Sequence, residues 1–76
     1  MINSIHVQTA TLPNGYAYYV AGRSEGRDIF LKSSTIELIV WTLRKNAAMS
    51  FEDGSKAAEI AGAYKNGTGW THQIED

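Results

Sequence analysis

At 76 residues and a net charge of −1, the chain has room for one domain with a small core, near the lower size at which apolar burial suffices unaided. It has no cysteine, which excludes disulfide staples and cysteine-ligated zinc. A charge so close to neutral argues against non-sequence-specific nucleic-acid binding, which draws on a basic excess.

Ile5 to Thr11 alternates, Ile5/Val7/Thr9/Thr11 against His6/Gln8/Ala10, the period of a strand. Leu12-Pro13-Asn14-Gly15-Tyr16 then spells a turn. Pro13 presets its own φ, and Gly15 supplies a positive φ for a three-residue bulged hairpin. In that register Leu12 faces Tyr16, Ala10 faces Tyr18 and Gln8 faces Val20. A second strand runs from Tyr16 to Ala21, a looser turn covers Gly22 to Gly26, and a third strand runs from Arg27 to Lys32. Pairing Val20 with Ile29 gathers Ala10, Leu12, Tyr16, Tyr18, Val20, Ile29 and Leu31 on the expected core face. The opposite face collects Ile5, Val7, Thr9, Thr11, Ala17, Tyr19 and Phe30.

Ser34 and Glu37 have the spacing of a capping box. After it, Ile36, Ile39, Val40, Leu43 and Ala47 form a stripe at helical spacing, so a long helix is expected over about 34–48. Leu38 and Trp41 lie off that stripe, three residues apart. A second helix is expected over about 50–66, with Ala57, Ile60, Ala61 and Tyr64 on one side and Asn66-Gly67 as its stop. In the tail, 67–76, the alternation Trp70/His72/Ile74 permits a short final strand. The expected architecture is α+β: a single domain, 1–76, with a three-stranded antiparallel sheet over about 4–32 packed by one long helix, then a second helix and a tail that either forms a short C-terminal strand or frays.

The residues carry little catalytic signal. His6 and His72 would need Glu75 or Asp76 beside them to hold a metal, and they show no ligand spacing. No elbow surrounds any serine. Glu52-Asp53 and Glu75-Asp76 read as solvated carboxylates, and Gly67-Thr68-Gly69 is too short for a phosphate loop. The expectation is a non-enzymatic chain with no metal and no cofactor. No run is apolar enough to span a bilayer, and no basic segment followed by an apolar stretch opens the chain. The expected setting is therefore cytoplasmic, without a membrane partner.

Two surfaces stand out. On the expected first helix, Leu38 and Trp41 resemble an interface anchor rimmed by Arg44 and Lys45, which points to a protein partner or a second copy of the chain. The alternative is a sheet platform: Tyr19 and Phe30 stacking bases, bordered by Arg23, Arg27 and Lys32.

The stretch from Gly15-Tyr16-Ala17-Tyr18-Tyr19-Val20 through Arg27-Asp28-Ile29-Phe30-Leu31 to Thr35-Ile36-Glu37 resembles the sheet and helix of arm-type DNA-binding domains in phage integrases. As a whole, a tiny cysteine-free domain with surplus aromatics at Tyr19, Phe30 and Trp41 resembles the small phage-encoded inhibitors of bacterial defence, the anti-CRISPR proteins among them. The first resemblance implies DNA binding. The second implies inhibition by occupying a surface of a nucleic-acid-handling complex, in the cytoplasm of the host cell.

Overall fold

A computed structural model describes residues 2–35, 37–67 and 70–75. Ile36 of the expected helical stripe, Thr68 and Gly69 of the glycine turn, and Asp76 lie outside these residues. Five strands form one mixed sheet: β1 (Ile2–Leu12), β2 (Gly15–Ser24), β3 (Arg27–Ser34), β4 (Leu38–Thr42) and β5 (Thr71–Glu75). One helix, α1 (Gly54–Asn66), and a short 3₁₀ turn at Lys45–Ala47 complete the described elements. The strands lie in the order β1-β2-β3-β4-β5. The first three junctions are antiparallel and β4–β5 is parallel.

The α+β class holds, but a three-stranded sheet with two helices does not. The expected long helix over 34–48 is instead a strand and a 3₁₀ turn. Leu38 to Thr42 is rich in β-branched and aromatic residues, which favour a pleated surface and lose rotamer freedom in a helix. Its apolar run is continuous because both faces are buried: Ile39 and Trp41 on one side, Val40 and Thr42 on the other. A buried strand of this kind loses the alternation that marks a half-buried one, and the same residues also satisfy helical spacing. The Ser34–Glu37 capping box does not form; the Ser34 hydroxyl donates to the Thr35 carbonyl.

The first hairpin is one residue tighter than the turn chemistry suggests. Leu12 pairs with Gly15 and Thr11 with Tyr16, leaving Pro13 and Asn14 as a two-residue loop. The slip moves β1 to its other face, because side chains alternate with period two. Thus Ile5 and Val7, not Ala10 and Leu12, pack on the core beside Tyr18 and Val20. The second turn is also tight. Ser24 pairs with Arg27, and Glu25 and Gly26 have φ of 53° and 79°, the two positive values that a primed hairpin turn requires. Here the register differs from expectation by two residues, so Ile29 and Leu31 keep their expected face.

β2 and β3 pair only between Ala21↔Phe30 and Ser24↔Arg27. Beyond that they splay, and the chain arriving from β4 fills the gap. Met49 donates its N–H to the Leu31 carbonyl at 2.9 Å, and Phe51 exchanges both backbone bonds with Tyr18 at 2.9 and 2.8 Å. The connection begins on the face opposite the helix, where Lys45 lies over the Tyr19 ring. It passes through the seam and emerges at α1 on the other side. Asp53 caps the helix by accepting from the Ser55 N–H at 2.8 Å, so α1 starts later than about residue 50. Gly54 sits where a Cβ would come within 3.0 Å of the Tyr18 ring, which accounts for glycine in the first turn of a helix.

The core lies between α1 and one sheet face. Val20, Ile29, Leu31, Ile39, Trp41, Ala57, Ala61 and Tyr64 are buried together, with Leu43, Phe51 and Ile60 packed on them. The helical side Ala57/Ile60/Ala61/Tyr64 is the one expected. Trp41, expected as an exposed anchor beside Leu38, is fully buried. Residues three apart share a side of a helix but point to opposite faces of a strand, so Leu38 and Trp41 share no surface.

Candidate functional site

At the open end of the sheet, its two edge strands approach the end of α1 and enclose a groove. The lining comes from Ile2, Asn3, Ser4 and Ile5 of β1, Ser24, Tyr64 and Lys65 of α1, and His72 and Ile74 of β5, around a volume of about 590 Å³. A flat five-stranded sheet would hold β1 and β5 far apart. Here twist and curl bring both edges to one opening.

Each wall has a sequence cause. In β1 the pairing with β2 slips between Asn3 and His6, and Ser4 adopts a φ of 56°, a bulge that bends the strand. Gly22 on β2 permits the bend, since a Cβ there would meet the Asn3 carbonyl oxygen at 3.2 Å and the Ile2 side chain at 3.4 Å. On the facing wall, the Trp41 indole donates Nε1–H to His72 Nδ1 at 3.1 Å, and the two rings stack at 6.2 Å. An indole nitrogen only donates, so Nδ1 accepts and the imidazole carries its proton on Nε2. Tyr64 packs edge-on against Trp41 at 6.2 Å and Trp70 at 4.8 Å. The floor is therefore an aromatic stack rooted in the core. At the rim, Ile74 and Trp70 remain 41% and 37% exposed.

The backbone of β5 is the other functional element. Thr71 donates its N–H to the Glu37 carbonyl, and the Glu75 carbonyl accepts from the Leu43 N–H. In a parallel ladder, alternate residues turn both backbone groups toward the same neighbour. Thr71, Gln73 and Glu75 therefore face β4, while the N–H and C=O of His72 and Ile74 face outward. Those are the two residues of β5 whose side chains line the groove.

The expected sites are dispersed. Leu38 opens β4, Arg44 lies two residues past its end before the 3₁₀ turn, and Lys45 lies over the Tyr19 ring at 5.2 Å. Of the two rings of the expected stacking platform, Phe30 is buried at 8% exposure and Tyr19 is half-buried. Arg23 pairs with Asp28 at 3.4 Å and donates to the Gly26 carbonyl at 2.6 Å. Lys32 pairs with Glu75 at 2.7 Å, and Arg27 stands exposed at the second turn. His6 Nδ1 meets the Ser4 carbonyl at 2.5 Å, and among the described residues no cluster of His and carboxylates suits a metal.

Of the groove residues, sequence reasoning singled out only His72, as a metal-ligand candidate. The alternation Trp70/His72/Ile74 carried the missing signal, since an exposed Ile74 on a short terminal strand, with Trp70 just before it, marks an edge worth covering. No family model, curated protein or solved structure matches this chain.

Proposed function

We propose that this chain is a non-enzymatic protein-binding module whose docking surface is the groove between β1 and β5. The observation that carries this reading is the coincidence, on β5, of the exposed Ile74 side chain and outward-facing backbone groups, with the exposed Trp70 just before the strand. Edge strands are templates for pairing, and soluble proteins usually blunt them with charge, proline or cover. The groove-lining part of β5 has none of these devices. The lining also favours recognition over chemistry: its imidazole is committed to the Trp41 indole, and among the described residues no carboxylate lines the groove. The inhibitor role implied by the resemblance to phage-encoded proteins would need only this, a segment of a partner held and kept from its own contacts.

The test is selection from a displayed library of random peptides on the immobilised chain, run in parallel on the Ile74→Glu variant. Ile74 is exposed, so the variant is expected to fold with a stability change near 0.5 kcal/mol or less. The reading predicts peptides that enrich on the native chain and not on the variant. Failure to enrich any peptide, or equal enrichment on both proteins, would overturn it.

A further inference from the structure

We infer that the groove takes an extended segment of a partner protein as a sixth strand on β5, with apolar residues facing inward and a carboxylate placed against Lys65. The inference rests on the docking reading above and adds the binding mode and the partner's chemistry. His72 and Ile74 offer two N–H and two C=O groups along the open edge, which is the pairing pattern that strand addition uses. Alternate side chains of an added strand point to the same face as its neighbour's. One set would meet Ile2, Ile5, Tyr64 and Ile74 inside the groove, and the other would lie beside Thr71 and Gln73, so the segment should alternate apolar and polar.

Charge selects the rest. Among the described residues, Lys65 is the only lysine or arginine in the lining, and it takes part in no ion pair. A charge-assisted bond to a carboxylate would satisfy it. The opposite wall decides between a lone strand and a second copy. A second copy pairing through its own β5 would bring its β4 along at the strand spacing of about 4.8 Å, on the side where the bulged start of β1 stands. In that position the second copy's β4 would meet β1, whereas a lone strand brings no sheet behind it.

The experiment uses an enriched peptide resynthesised in three further forms: N-methylated at odd residues, N-methylated at even residues, and with its carboxylates converted to amides. Titration against the full chain should show one N-methylated register weakened about tenfold or more and the other little changed, because only alternate N–H groups face β5. The amide form should bind several-fold more weakly than the acid, and the Lys65→Glu variant should erase or reverse that preference. If both N-methylated forms bind like the parent, strand addition is wrong while the docking reading stands. If acid and amide bind alike, the carboxylate assignment is wrong. Sedimentation showing a dimer that the peptide dissociates would make a second copy the occupant and overturn the inference, and failure to enrich any peptide would overturn it together with the docking reading.

Discussion

Trp41 links the core to the groove. Its ring is fully buried, its edge meets Tyr64, and its N–H fixes the imidazole on the groove wall. Truncation to alanine removes all three roles, and Trp41→Ala is expected to cost about 3–5 kcal/mol, measured as a lower urea midpoint with little change in slope. A loss under about 0.5 kcal/mol would place the indole at the surface instead. Glu25 supplies the opposite kind of test. It holds a φ of 53° in a turn that favours asparagine before glycine. Relieving a left-handed conformation of a residue with a bulky Cβ substituent should make Glu25→Asn more stable by up to about 1 kcal/mol. A destabilised variant would show that Glu25 has a contact beyond the turn.

Among the elements, the chain between β4 and α1 carries the most unusual role, since it seals the gap where β2 and β3 part. Its seal rests on the paired bonds between Phe51 and Tyr18. Phe51→Pro removes the N–H that donates to Tyr18 and closes off one of those bonds. The expected result is a loss of about 3 kcal/mol or more in thermal or urea unfolding, against about 1 kcal/mol for removing the α1 cap with Asp53→Ala. Equal effects would mean that the seam is held by side chains alone.

At this scale the sequence was legible where local chemistry decides and opaque where burial does. The second helix's apolar side and its Asn66-Gly67 stop were readable from period and stop residues, though its start at Gly54 behind the Asp53 cap was not. The third strand's start and the final strand's alternation were also readable. β4 was not readable, because a strand buried on both faces shows no alternation. The register of the first hairpin was also hidden: Pro-Asn-Gly serves a two-residue loop as well as a three-residue one, and that single residue turned β1 over. The candidate site suffered most, since a groove built from both edges of a curled sheet depends on contacts between residues near opposite ends of the chain.

For the molecule as a whole, the edge of β5 is the proposed place of contact with a partner protein. β1 is the sheet's other edge, bulged at Ser4; between the two edges the strands are joined by their ladders and by the segment set between β2 and β3. The most direct measurement is amide hydrogen exchange by NMR, residue by residue along β5, with and without an enriched peptide. In the free chain, Gln73 and Glu75 should exchange slowly and His72 and Ile74 quickly, because only the former pair donate to β4. Peptide addition should slow His72 and Ile74 selectively. Peptide binding that leaves both amides fast while protection rises elsewhere would contradict the account.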